Sequence, residues 1–358
     1  MNRWRLLLAL VFTTFGATAQ DVYQVLRASG EGFEPVSPGR ALSFPEDHLA
    51  HPEFRIEWWY LTANLTDDQG QDYGLHWTLF RQSLRPDGPS DGWTSNQAWM
   101  AHASITTPDG HDYEERFARG GIGQAGVSKA GEPFSAWLDD WQWQGIGAAP
   151  LPATLDFSIG EQRMQLQLEA STPWVLQGDQ GFSQKSAAGQ ASYYYSQPHI
   201  DVVANYTKAS GDVLALTGVG WMDREWSSQP LAPDQQGWDW FSLHLDDGHA
   251  LMVYRLRRDD GDHDLSGSWV TPEGASTSLT ADQIIIQSQA ETTLSLSNTE
   301  SVTLPLHWSI QLPEFDLSWE VAPIYPNQWL NIQFPYWEGP VRVRGSTGGV
   351  GYMELTGY

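Results

Sequence analysis

The chain has 358 residues, with 44 Asp plus Glu against 19 Lys plus Arg and a formal charge of −25. That balance excludes direct nucleic-acid binding, which needs a basic patch to displace condensed counterions. The absence of Cys excludes disulfide, zinc–thiolate and cysteine-nucleophile chemistry, while 19 Trp among 13% aromatic residues describe a folded protein, not an acidic disordered tail.

Arg3 and Arg5 precede an apolar run at 6–12, and Ala17-Thr18-Ala19 supplies the small residues a signal peptidase reads. A basic start, a short apolar core and an A-x-A exit predict a signal peptide at 1–19, cleaved after Ala19. The apolar core is shorter than the roughly twenty residues that span a bilayer, and no later stretch predicts a transmembrane segment. The mature chain is therefore expected to be a soluble secreted protein of the bacterial periplasm, opening with a lead-in segment at 20–42.

From residue 43 onward, short runs rich in Thr, Val, Ile, Tyr and Trp alternate with turn clusters. The clusters lie at 67–70, 108–110, 210–212, 246–248 and 260–262, and each contains Asp and Gly. Strand-length runs with turns about every ten residues predict an all-β sandwich or barrel. The alternation is clearest over 156–170, where Phe157, Ile159, Met164, Leu166 and Leu168 are separated by polar residues. Only 280–289 has a helical pattern.

Two segments resemble one another. Trp58-Trp59-Tyr60-Leu61-Thr62-Ala63-Asn64-Leu65 leads into the 67–70 turn, and Trp238-Asp239-Trp240-Phe241-Ser242-Leu243-His244-Leu245 leads into the 246–248 turn. A gapless alignment sets Trp58 on Trp238, Tyr60 on Trp240 and Asn64 on His244. Each segment is followed by a strand ending aromatic-Arg, Phe80-Arg81 and Tyr254-Arg255. The length exceeds what one core usually serves, so the repeat predicts two tandem β-domains, at 43–220 and 221–358. Period-two alternation gives each copy a core face, Trp59, Leu61, Ala63 and Leu65 in the first. The opposite face carries rings with polar tips, Trp58 and Tyr60 in the first copy, Trp238, Trp240 and His244 in the second. That face suits either a ligand cavity or an inter-domain contact.

Several catalytic motifs are missing, among them a nucleophile elbow, a P-loop, H-E-x-x-H and a dinucleotide fingerprint. The acidic run at 259–264 lacks the Gly and Glu of an EF-hand and reads as a solvated turn. His48-x-x-His51 has no third ligand nearby. No metal or cofactor is expected. The informative stretch is Gly220-Trp221-Met222-Asp223-Arg224-Glu225-Trp226, where Trp221, Asp223 and Glu225 share one face of a strand. A carboxyl between indoles is desolvated, keeps its proton and can serve as a general acid. The alternative is a structural salt bridge from Asp223 to Arg224 or another Arg.

These residues resemble the AttH/CrtC family. The resemblance rests on Glu57-Trp58-Trp59-Tyr60, the Gly220–Trp226 segment with Pro230-Leu231, Trp238-Asp239-Trp240, and the closing Gly349-x-Gly351-Tyr352-x-Glu354-Leu355-Thr356-Gly357-Tyr358. The branch of secreted hydrolases is the closer match. The resemblance implies two lipocalin-like (calycin) β-barrels and a hydrophobic ligand, a lipid or isoprenoid. It also implies an ABC-transporter permease as partner. In the carotenoid hydratases of the family a Tyr-x-Asp motif before Pro-Leu carries the proton donor. Asp223 matches that Asp, Trp221 replaces the Tyr, and the upstream His-x-Trp has no counterpart beside Tyr193-Tyr194-Tyr195 and His199.

Two functions are therefore expected in competition. One is a periplasmic lipid-binding protein linked to an exporter. The other is a hydratase or hydrolase with Asp223 as general acid, assisted by His244 or Tyr194. In both, the ligand is expected against Trp58, Tyr60, Trp221, Glu225, Trp226, Trp238, Trp240 and Tyr254.

Overall fold

A computed structural model describes residues 24–296 and 300–358, so the expected signal peptide at 1–19 lies outside the described residues. A short helix α1 (Gln24–Arg27) precedes the first barrel. Its strands are β1 (Ile56–Thr66), β2 (Asp72–Ser83), β3 (Gln97–Thr107), β4 (Gly110–Arg119), β5 (Ala125–Val127), β6 (Ser135–Leu138), β7 (Trp141–Gly145), β8 (Ala153–Ile159), β9 (Gln162–Ala170), β10 (Val175–Leu176), β11 (Phe182–Gln184), β12 (Ala191–Thr207) and β13 (Val213–Gln229). The second is built from β14 (Gln235–Leu245), β15 (Ala250–Arg258), β16 (His263–Val270), β17 (Ser276–Leu279), β18 (Ile285–Ser295), β19 (Ser301–Leu312), β20 (Leu317–Pro323), β21 (Trp329–Leu330), β22 (Tyr336–Gly345) and β23 (Gly349–Thr356).

The first sheet runs β4-β3-β2-β1-β13-β12-β9-β8-β7-β6-β5, and the second β17-β16-β15-β14-β23-β22-β20-β19-β18. In each, the opening strand pairs both with its hairpin partner and with the last strand of the domain, which curls the sheet toward a barrel. The first barrel is nearly closed. Its free edge at β4 is bridged by Arg116, which bonds Asp140 beside β7 and lies 4.2 Å over the Trp141 ring. The protein is thus all-β, with two tandem lipocalin-like barrels.

The local chemistry explains most of this. All five Asp–Gly clusters form hairpin turns between consecutive strands. The alternating stretch at 156–170 is the β8–β9 hairpin, with Phe157, Ile159, Met164, Leu166 and Leu168 all buried. Residues 280–289 are not a helix. Thr280 caps a single 3-10 turn (Ala281–Gln283), and the β-branched run Ile284-Ile285-Ile286 then enters β18.

The expected division at 220/221 falls inside β13, which runs unbroken to Gln229. The chain passes between barrels at 230–234. The repeat is present but slipped by two residues from the gapless alignment. Glu57 faces Arg81 across β1–β2, and Asp239 faces Arg255 across β14–β15, so Trp58 corresponds to Trp240. A slip of two preserves which face each residue takes.

Three buried clusters result. Trp59, Leu61, Ala63 and Leu65 belong to the core of the first barrel, and Phe241, Leu243 and Leu245 to that of the second. The third lies between the barrels and contains Tyr60, Tyr194, Trp221, Trp240, Tyr254 and Tyr352. Gly74 permits this contact, because a Cβ there would sit 2.6 Å from the Tyr352 hydroxyl and 2.9 Å from Pro340 Cγ.

Candidate functional site

The two readings of the ring-bearing face merge in the structure, because the inter-domain contact encloses a cavity of about 240 Å3. Its floor is made by the repeated strand pair. Trp58 of β1 lies across from Glu225 of β13, and at the equivalent place Trp240 of β14 lies across from Glu354 of β23. The walls add Tyr60, Tyr194, Trp238 and Tyr254, with His76 and His102 from β2 and β3 and Tyr336 and Glu338 from β22. The cavity reaches solvent beside Phe117, which is 53% exposed.

Asp223 is the best-organised acid. Its Oδ1 accepts the Trp221 indole N–H at 2.7 Å and the Ser196 hydroxyl at 2.5 Å, and its Oδ2 lies 2.6 Å from the Tyr194 hydroxyl. Two donors on Oδ1 make that atom the carbonyl oxygen of the neutral acid, so the proton belongs on Oδ2. Tyr194 can donate to the carboxylate or accept from the acid, and Trp240 Nε1–H approaches its oxygen at 3.4 Å. Burial pushes the Asp223 carboxyl up to about 7. The three hydrogen bonds oppose that rise and the nearby Glu225 charge adds to it. An acid poised near neutrality against aromatic walls can deliver a proton to an apolar substrate.

The equivalent glutamates differ. Glu225 accepts from Ser192 and pairs with Lys185 at 2.8 Å, and the Lys185 ammonium also lies 4.9 Å over Tyr194 and 4.5 Å over Tyr254. Among the described residues Glu354 has no such cation. Burial pushes it up to about 8, against the opposing hydrogen bond from Trp238. Glu338 faces Glu354 across β22–β23 and is raised well above its ordinary value, by burial first and then by the Glu354 charge. The two histidines are held neutral. Burial drives His76 well below its ordinary value, and it lowers His102 against the opposing influence of Glu115.

Of the residues singled out in the sequence, Asp223, Tyr194, Trp58, Tyr60, Glu225, Trp238, Trp240 and Tyr254 meet at the cavity. Trp221 sits behind Asp223 and orients it. His244 is placed elsewhere. Its Nε2 faces the carbonyls of Pro198 (2.8 Å) and Gly220 (3.2 Å), and burial lowers its pKa to about 4, so it holds the two barrels together. Trp226 is also off the cavity. Period two puts it on the opposite face of β13 from Asp223, where it stacks on His51 with centroids 4.1 Å apart. Arg224, on that same face, bonds Glu57, and among the described residues Asp223 bonds Trp221, Ser196 and Tyr194 and no Arg, which removes the salt-bridge alternative. His48 and His51 are occupied by protein partners, Tyr195 for the first and Asp47 with Glu57 for the second. The 259–264 run forms the β15–β16 turn at 259–262 and the first two residues of β16.

Sequence reasoning missed Lys185, His76, His102 and Glu338 as site residues, and it took Glu354 only as part of a terminal motif. Glu338 did carry a signal. It follows Tyr336-Trp337, the same adjacency of acid and rings that marked Asp223.

With this geometry in place, comparisons with known proteins agree on the fold. A family profile described as AttH-like matches residues 35–358. The crystal structure of a Nitrosomonas europaea protein described as AttH is 33% identical, with a TM-score of 0.78 over 91% of this chain and all of that one. The crystal structure of kievitone hydratase from Nectria haematococca shares the fold at 14% identity, with a TM-score of 0.67 over 91% of this chain and 96% of that one. No curated protein matches the sequence. By the extent of the profile match and the identity to the Nitrosomonas protein, the chain belongs to the AttH-like family.

Proposed function

We propose that this protein is an acid catalyst that adds water to a carbon–carbon double bond of a small apolar molecule. The observation that carries this reading is Asp223, a buried carboxyl with a pKa near 7 in an aromatic cavity between two barrels. In the first step the Oδ2 proton goes to one alkene carbon, taking the π electrons as the new C–H bond. The cation left on the other carbon lies among the faces of Trp58, Trp238 and Trp240, whose quadrupoles stabilise it. Water then forms the C–O bond, and its released proton returns to the Asp223 carboxylate. The kievitone hydratase that shares the fold is named for a reaction of this class.

The competing reading, a carrier that passes a lipid or isoprenoid to a membrane exporter, is favoured by the apolar cavity walls. Two features weigh against it. A cavity of about 240 Å3 falls below the usual range of roughly 300–1,000 Å3 for ligand pockets, so it suits a compact molecule or one chain end. Buried carboxyls also cost stability, and a carrier of hydrocarbon chains has no use for them. The signal-peptide pattern supports a periplasmic site for this reaction, and N-terminal sequencing of native protein should then begin at Gln20.

The test is a panel of geraniol, farnesol and prenylated phenols incubated with protein in 18O water. Wild type is expected to form a product heavier by one labelled water. Asp223→Asn, an isostere of the protonated acid, should lose turnover by at least about a hundredfold and keep substrate affinity within a few-fold. Equal turnover by both proteins would remove Asp223 from the chemistry.

A further inference from the structure

Glu338 is 1% exposed and lines the cavity. Its Oε1 accepts the Tyr60 hydroxyl at 2.7 Å, while its Oε2 is buried with no hydrogen-bond partner among the described residues. Across the strand pair stands a second acid, Glu354. Among the described residues the cavity wall carries one Lys and no Arg, and that Lys185 is committed to Glu225. An acid beside another acid, with no cation, stays neutral. A neutral carboxyl has one hydrogen to donate. Tyr60 already uses Oε1 as the carbonyl oxygen, so the hydrogen lies on the unpartnered Oε2.

The partner that completes Oε2 has to be a hydrogen-bond acceptor. A pure hydrocarbon leaves a buried donor unmade. A carboxylate or phosphate would have to shed its water beside two acids in a protein of charge −25. A carbonyl or hydroxyl oxygen satisfies the donor without either penalty. The geometry also sets its position. Tyr60 is the cross-strand neighbour of Asp223, and its hydroxyl reaches Glu338, so a molecule lying along the Tyr60 ring spans the two acids.

Resting on the acid-catalysis reading above, we propose that Glu338 Oε2 anchors a neutral oxygen of the substrate. The molecule this cavity takes is then apolar and unsaturated but carries a carbonyl or hydroxyl oxygen at the end nearest β22, with its double bond toward Asp223. A hydrocarbon such as a carotene and an anionic lipid are both poor fits.

The test compares acetylnaphthalene with ethylnaphthalene, which differ by an oxygen in place of two hydrogens. Binding is read by tryptophan quenching, and the ketone C=O stretch by infrared difference spectroscopy. Wild type at pH 6 is expected to prefer the ketone by about tenfold, the worth of one buried hydrogen bond, with the bound stretch lowered. Glu338→Gln keeps an N–H donor and should keep the preference. Glu338→Met should lose both the preference and the frequency shift while binding ethylnaphthalene within a few-fold of wild type, which also reports that it is folded. Equal affinities in wild type, or a preference that survives in Glu338→Met, would overturn the anchor and leave the catalytic reading standing. Failure of wild type to bind either probe would overturn both.

Discussion

Asp223 shows how one side chain links stability to activity. Its carboxyl, like that of Glu354, holds its proton more tightly in the folded chain than in the unfolded one, where carboxyls titrate near 4. The stability these groups contribute is therefore complete below about pH 4 and is lost as pH rises through about 7 for Asp223 and about 8 for Glu354. Asp223→Asn removes one of these ionisations. It is expected to unfold at a higher temperature than wild type at pH 8, by roughly 2–4 kcal/mol of stability, with little difference at pH 4. Thermal melts at both pH values check this, and a difference independent of pH would mean that Asp223 is already ionised at neutrality. On the proposed mechanism, the same ionisation should make turnover slow above about pH 7.

At the scale of elements, β1, β2 and β13 are joined on the core side by one buried carboxylate. Glu57 accepts from Arg81, from Arg224 and from the backbone N–H of His51 at 3.0 Å. Burial alone would raise its pKa, but the two guanidinium charges hold it well below the ordinary range. The second barrel repeats the device with Asp239, which accepts from Arg255 at 2.7 Å and Arg257 at 2.6 Å. Breaking such a pair leaves buried cations uncompensated. Glu57→Gln is expected to cost about 3–5 kcal/mol in urea unfolding, whereas Asp91→Asn, which loosens an exposed contact with Lys129, should cost under about 1 kcal/mol. Much of this was legible. Period two grouped Trp221, Asp223 and Glu225 correctly, and applied strictly it also excludes Trp226 from their face. The two-residue slip in the repeat was hidden, because the acid–Arg pairs that define it join different strands.

At the scale of the whole molecule, the cavity exists only because two barrels dock through their outer faces. Gly74 is where the docking is tightest, since Ala there would meet both Tyr352 and Pro340. Gly74→Ala should cost about 1–3 kcal/mol and weaken ligand binding by separating Tyr60 from Glu338. Comparison of its affinity for a probe ligand with that of wild type checks this, and unchanged affinity would show that the cavity tolerates such a shift.

The sequence by itself determined what depends on neighbours along the chain. Alternation and Asp–Gly turns specified the strands, the repeat announced two barrels, and an acid set between indoles marked Asp223. Only the tertiary structure decided that the site lies between the barrels and which distant residues enter it. His76, His102, Lys185, Glu338 and Glu354 come from five separate segments. Their shared environment arises when two curved sheets exclude water from a common face, and no local pattern encodes that event. His244 shows the reverse. Its place on the ring-bearing face was legible, but whether it met a ligand or a backbone carbonyl depended on how the barrels docked.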